Sequence, residues 1–112
     1  MILHNYLSNS GRDLIYEYIN SLPEAEKIDG YTVLQHIEKG EFDKILFKRW
    51  EKKVYEVYFQ KNNRVFYITV DKENIYLLHS CRKQKNKTEK KDANIVRKRA
   101  KELGNMLGRK FI

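Results

Sequence analysis

The sequence predicts an α+β fold, in which an N-terminal helical hairpin and a C-terminal helix pack on a three- or four-stranded, mainly antiparallel sheet. Three observations predict it: helical spacing of apolar residues before residue 40, strand-like runs between residues 54 and 81, and a second helical pattern after residue 88. A length of 112 residues suits one domain with one modest core. We therefore expect a single domain over residues 1–112, of which residues 104–112 form a short tail.

The first two helices are indicated by their termini. Ser10 followed by Asp13 resembles an N-cap for a helix over residues 11–21. Pro23 suggests the first turn of a second helix, since its missing N–H costs nothing there, and Gly40 is a plausible end. Gly30 weakens the second helix by about 1 kcal/mol relative to alanine. Helically spaced apolar residues support the assignment: Leu14, Tyr18, Ile19, Leu22, Ile28, Tyr31, Leu34 and Ile37.

The middle of the chain is typical of an antiparallel meander. Residues 54–60, 64–70 and 74–81 are rich in β-branched and aromatic residues, and short polar connectors separate them. A further short strand is expected near residues 44–49. The second of the three runs has apolar residues on both faces, which places it at the centre of the sheet.

The last predicted helix begins at a Thr88 cap, runs to about Leu103 and ends at Gly104. A narrow apolar stripe at helical spacing supports it: Ala93, Val96, Ala100 and Leu103.

The net charge of +8 lies in one part of the chain. Residues 82–101 hold ten Lys or Arg against two carboxylates, which leaves +8, and the remaining charges cancel. Such a field captures polyanions, and RNA, DNA, an acidic protein or an anionic membrane all satisfy it. A single cysteine, Cys81, excludes an internal disulfide and indicates a reducing cytoplasm. No signal peptide or bilayer-length apolar stretch is present, so no membrane association is expected.

Several short motifs occur in a characteristic order. A glutamate-containing strand (YEVYF) precedes NRVFY, a strand end LLHS, a basic loop RKQKNKT and a helix of the form Ala-x-x-Arg. This order over about residues 8–103 resembles the phage-derived, HigB-like branch of the RelE/HigB toxin superfamily of type II toxin–antitoxin modules. The chain departs from that pattern at Glu89, where the family usually has proline, at Ser80-Cys81 instead of Gly-Phe, and at Tyr58, where arginine is common.

The resemblance implies a RelE-like fold and a ribonuclease that cuts mRNA, in many relatives on the ribosome. It also implies a cognate antitoxin, of helix-turn-helix type, as the partner of a free toxin that is a monomer, with mRNA and ribosomal RNA as the nucleic-acid partners. RNA is cut when its 2′-hydroxyl attacks the adjacent phosphate, and converging cations suffice in principle to stabilise the charge that develops. No cofactor is expected. No metal is expected either, because His4, His36 and His79 are far apart in sequence and Cys81 is alone.

Candidate residues follow from this chemistry. Arg64 is the first choice for a phosphate clamp, since a guanidinium grips two oxygens, although an exposed hairpin-end arginine is an equal alternative. His79 is a secondary candidate for an acid or base, because it continues the alternation of Ile75 and Leu77 and a histidine on such a face more often packs. The catalytic candidates are Arg64, Arg82, Lys83, Lys87, His79 and Tyr58, and the RNA-binding candidates are Lys85, Arg49, Lys52, Lys53, Lys90, Lys91 and Arg97.

Two other functions remain open on sequence grounds. A non-catalytic nucleic-acid-binding module uses the same basic surface to contact phosphates only. A basic adaptor binds an acidic protein partner and has no affinity for RNA. Trp50 is either a lid on the core or a stacking platform.

Overall fold

A computed structural model describes residues 1–83 and 88–112. Five strands form one mixed sheet in the order β1-β5-β4-β3-β2, in which β1 is parallel to β5 and the other pairs are antiparallel. The α+β class is confirmed, but the expected count of three or four strands was wrong because the N-terminal strand was missed. The strands are β1 (Ile2–Asn5), β2 (Leu46–Glu51), β3 (Val54–Phe59), β4 (Asn63–Thr69) and β5 (Asn74–Arg82).

The first two helices are α1 (Leu14–Asn20) and α2 (Glu24–Glu38), and a 3-10 turn at Phe42–Lys44 leads to β2. Asp13, not Ser10, caps α1, because its carboxylate accepts a hydrogen bond from the Tyr16 backbone N–H. Packing against β3 requires a glycine at position 30, because a Cβ there would lie 3.0 Å from the Phe59 ring. A glycine that costs helix propensity thus lets α2 approach β3 closely.

The third helix, α3 (Lys90–Leu107), is longer than predicted. Its N-cap is Glu89 and not Thr88, and it continues through Gly104 to a left-handed Gly108. Gly104 is not a stop, since a Cβ there would overlap the Arg109 carbonyl oxygen as the chain folds back over the helix. The predicted apolar stripe of α3 is buried as expected.

The sheet carries a hydrophobic cluster on each face. One joins α1 and α2 to the sheet, and the other joins α3 to the opposite face. β4 contributes to both clusters, with Val65 and Tyr67 on the first and Phe66 and Ile68 on the second, all at most 2% exposed. The prediction of a central, covered strand is confirmed. In the described part of the chain, no helix is both long and apolar enough to cross a membrane.

Candidate functional site

The candidate site lies on the α3 face of the sheet, near the turn that joins β3 to β4. Strand alternation points Glu56 and Tyr58 of β3 to this face, and Arg64 of β4 is the register partner of both Tyr58 and Cys81. The side chains of Lys48, Glu56, Tyr58, Arg64 and Lys83 meet here, and we call them the Arg64 cluster.

Arg64 is held from several directions. Its Nη1 donates to the Asn63 carbonyl at 3.1 Å, and its Nε lies 3.5 Å from Glu56 Oε1. The guanidinium carbon lies 4.1 Å from the centroid of the Tyr58 ring, a cation–π distance. Nε has no hydrogen-bond partner within the described residues, and the side chain is 14% exposed. Nε is buried against Glu56, and Nη2 makes no hydrogen bond among the described residues. Arg64 is therefore fixed in place, while its terminal nitrogens keep donor capacity for an anion.

Glu56 and Lys83 form a buried ion pair beneath Arg64. Lys83 Nζ donates to Glu56 Oε1 at 2.9 Å, and the two side chains are 4% and 0% exposed. Glu56 Oε2 has no hydrogen-bond partner in the described part of the structure. The predicted convergence of Arg64 and Lys83 is thus observed, and a shared carboxylate oxygen is what joins them. Lys83 itself does not reach the surface.

A groove of about 430 Å³ opens beside Tyr58 and Arg64. Lys44, Lys61 and one carboxylate, Asp29, also line it. Glu41 engages Lys44 at 2.9 Å, and Asp29 Oδ2 accepts a hydrogen bond from the Gln60 N–H at 3.0 Å. On the strand side, Lys48 Nζ lies 5.7 Å from the centroid of the Tyr58 ring. The Tyr58 ring thus has two cations near it, an arrangement that suits a phosphate at the mouth of the groove.

His79 packs against α3 and does not face the Arg64 groove. Its Nε2 donates to Asp92 Oδ1 at 2.8 Å, and its Nδ1 accepts from Arg99 Nη1 at 3.4 Å, since an arginine can only donate. Burial lowers the pKa of His79, with Asp92 opposing that effect. Both ring nitrogens are occupied, so the packing alternative for His79 is the one that its position supports. The ring also stacks 6.4 Å from Phe66.

One group of potential metal ligands was missed in the sequence. The ligand atoms of His79, Cys81 and Asp92 lie within 4.8 Å of one another, so Cys81 is not alone. The group fits a cation poorly, because binding through Nε2 moves the ring proton to Nδ1, where it meets the Arg99 guanidinium. Burial also raises the pKa of the Cys81 thiol to about 12, which keeps it protonated. We assign no metal to these residues.

Arg82 lies on the other face of the sheet. Its Nη2 donates to Glu26 Oε1 at 2.7 Å and its Nη1 to the Lys61 carbonyl at 3.0 Å. Cys81, the register partner of Arg64, faces α3, and Arg82 is the next residue of the strand. Because adjacent residues of a strand point to opposite faces, the expected convergence of Arg82 with Arg64 is not observed. Lys85 and Lys87 lie outside the described residues.

The predicted RNA-binding residues separate into three groups. Arg49, Lys52 and Lys53 are exposed and line a second groove at the β2–β3 turn. Lys90 and Lys91 are exposed in the first turn of α3. The remaining candidate is engaged within the protein: Arg97 makes two hydrogen bonds to Glu51 and covers Trp50, which packs on the core.

Two residues of the basic surfaces were not predicted. Glu56 holds Arg64 and Lys83, and the signal for it was a lone carboxylate in the otherwise apolar run VYEVYF. Lys110 lies in the second groove, where the C-terminal segment folds back, and no local pattern indicated that contact.

The fold and the site define a small α+β protein with a buried carboxylate that organises cations on one sheet face. Residues 17–101 match the family described as Phage derived protein Gp49-like (DUF891), and the chain belongs to that family. No curated protein matches the chain.

Proposed function

We propose that the protein is the toxin of a type II toxin–antitoxin module, a metal-independent endoribonuclease of the RelE/HigB superfamily that cleaves mRNA on the ribosome. Three things support the proposal: the order of motifs in the sequence, membership of a phage-derived family, and the Arg64 cluster. The fixed guanidinium of Arg64, stacked on Tyr58 at the mouth of a groove, is the observation that carries it.

Each residue of the cluster has a distinct part in the proposed reaction. The 2′-oxygen of the substrate gives up its proton to solvent and bonds to the adjacent phosphorus, while negative charge develops on the two non-bridging oxygens. The bond between phosphorus and the 5′-oxygen then breaks, and the 5′-oxygen takes a proton from solvent. Arg64 stabilises these two charged oxygens through its terminal Nη donors, since charge-assisted bonds to a guanidinium are strong and directional. Lys48 adds a second positive charge near Tyr58. The Tyr58 hydroxyl lies in this field and donates a hydrogen bond to the phosphate or to a neighbouring base edge.

The buried Glu56–Lys83 pair holds the Arg64 side chain in position. Arg64 would otherwise move freely on its long side chain, at a cost in entropy on binding. Glu56 attracts the Nε side of the guanidinium, and Lys83 balances the charge of the buried carboxylate. Lys83 is therefore a positioning residue in this proposal and does not touch the substrate.

The partners follow from the proposed activity. A cognate antitoxin covers the basic surface and prevents cleavage in the cytoplasm, and the free toxin is a monomer. An adjacent gene for a small helix-turn-helix protein is the first place to look for it.

Controlled expression without an antitoxin tests the proposal. The native chain should arrest growth and cut mRNA. Arg64→Ala should abolish both effects, and Arg64→Lys should fail to restore them, because an ammonium lacks the planar fork and the stacking on Tyr58. Lys39→Ala, an exposed lysine at the end of α2, is the matched control and should remain toxic. Intact mRNA in cells that make the native chain refutes the proposal.

A second candidate function is a non-catalytic RNA-binding module. It is favoured by one observation: Lys83 and His79, two side chains suited to proton transfer, are both buried or fully engaged. It predicts salt-sensitive binding to RNA with no scission, even on translating ribosomes. The same cleavage assay distinguishes the two functions.

A further inference from the structure

A second groove lies at the β2–β3 turn, away from the Arg64 cluster. It has a volume of about 480 Å³ and is lined by the turn, by Tyr55 and by the C-terminal segment. The turn is tied to that segment by a hydrogen bond of 3.2 Å from the Lys53 N–H to the Phe111 carbonyl, and Phe111 is 3% exposed. The groove is thus a built feature of the fold, fixed by a buried aromatic side chain.

The charge of this second groove is strongly positive. Arg49, Lys52, Lys53 and Lys110 are all exposed, and none of them has an ion-pair partner among residues 1–83 and 88–112. Among the described residues, no acidic side chain lines the groove. Four cations in one concave surface repel one another, so an anion that neutralises them is bound favourably.

An aromatic surface continues directly from the groove. Phe47 lies on the edge strand β2 and is 42% exposed. Its ring centroid lies 6.3 Å from that of Tyr55. Lys53 and Tyr55 line both the basic groove and a neighbouring cavity of about 400 Å³, which also contains Phe47. Aromatic faces beside a group of cations are the usual means of binding a single strand of nucleic acid.

We propose that this second groove binds single-stranded RNA, with phosphates on Arg49, Lys53 and Lys110 and a base stacked on Phe47. Tyr55 and Tyr58 are three residues apart on β3, so the groove begins about 10 Å along the sheet from the Arg64 cluster. Because β2 is an edge strand, one oligonucleotide can pass around it and reach both sites. The groove then supplies affinity, and the Arg64 cluster acts on the phosphate that is delivered. Only the action of the Arg64 cluster on the bound strand rests on the proposed function.

Binding of a fluorescein-labelled 12-nucleotide strand, measured by anisotropy at several salt concentrations, tests the groove. The strand is made of DNA, which lacks the 2′-hydroxyl and is not cut by the proposed reaction, and then of RNA in an Arg64→Ala background. The double variant Lys53→Ala/Lys110→Ala should weaken binding about tenfold or more and reduce the salt slope by about 1.4, since each phosphate contact contributes about 0.7 for a single strand. Lys39→Ala/Lys72→Ala removes the same charge elsewhere and should change affinity less than about twofold.

Phe47→Leu keeps an apolar side chain but removes the ring, and it should weaken binding about fivefold or more, with an unchanged salt slope. Equal losses of affinity in Lys53→Ala/Lys110→Ala and in its control Lys39→Ala/Lys72→Ala overturn the proposal, because the net charge of the protein then explains the binding. Unchanged binding by Phe47→Leu, together with competition by a poly-glutamate peptide at equal affinity, also overturns it in favour of an acidic protein partner. Absence of mRNA cleavage by the native chain refutes the proposed function alone and leaves these binding results intact.

Discussion

Removal of Lys83 should destabilise the protein strongly, because it leaves the buried Glu56 carboxylate without its hydrogen-bonded partner and with only Arg64, whose Nε lies 3.5 Å away. Glu56 is 0% exposed and Lys83 is 4% exposed, so solvent does not screen the pair. Breaking such a pair from one side costs about 3–5 kcal/mol. For a chain of this length we expect Lys83→Met to lower Tm by roughly 12–20 °C.

Urea unfolding followed by circular dichroism at pH 7 measures this effect. The double variant Glu56→Gln/Lys83→Met removes both charges and should recover most of the loss, to within about 1–2 kcal/mol of the native chain. Lys39→Met, at an exposed position, should stay within about 0.5 kcal/mol of it. Additive losses in the double variant, or a loss below about 1 kcal/mol for Lys83→Met, refute the reasoning. A confirmed loss also means that inactivity of a Lys83 variant reports on folding before it reports on catalysis.

Three further predictions concern the rest of the fold. Gly104→Ala should lower the free energy of unfolding by about 1–2 kcal/mol, although alanine is the better helix former, because its Cβ meets the Arg109 carbonyl; urea titration measures it. Burial lowers the pKa of His79 below its ordinary value of 6.5, so the unfolded state takes up a proton at a higher pH than the folded state. The free energy of unfolding should therefore fall as the pH is lowered below 6.5. His79→Gln should show a shallower fall in urea midpoints between pH 7 and 5. A steeper fall in that variant contradicts this sign. Cys81 should react slowly with iodoacetamide at pH 8 and quickly in urea, because burial raises its thiol pKa to about 12; rapid labelling of the folded protein contradicts this burial.

Local patterns predicted the meander and the helices well, because strand alternation and helical spacing are properties of short segments. β1 was missed for the opposite reason. It has only four residues, and its pairing of Ile2 with Asn74 joins parts of the chain that are distant in sequence. The end of α3 also depends on tertiary packing. Gly104 lies inside the helix because Arg109 folds back over it and leaves no room for a side chain.

The candidate site shows the same division. Arg64 and Lys83 were expected to converge, and they do so on Glu56. Arg82 was misplaced because the predicted strand ended at residue 81, whereas β5 includes Arg82 and its alternation turns that side chain away. His79 was assigned to the face of Leu77, but a bulge opposite Phe66 moves it to the α3 side.

Analysis of RNA ends tests the central claim most directly. A model mRNA on purified translating ribosomes is incubated with the native chain in the Mg²⁺ buffer that ribosomes require, and the new ends are characterised chemically. We expect fragments with 2′,3′-cyclic phosphate and 5′-hydroxyl ends from the native chain and none from the Arg64→Ala variant. No cut should occur where the attacking nucleotide is 2′-deoxy. An intact message with the native chain, or equal cleavage by Arg64→Ala, contradicts it.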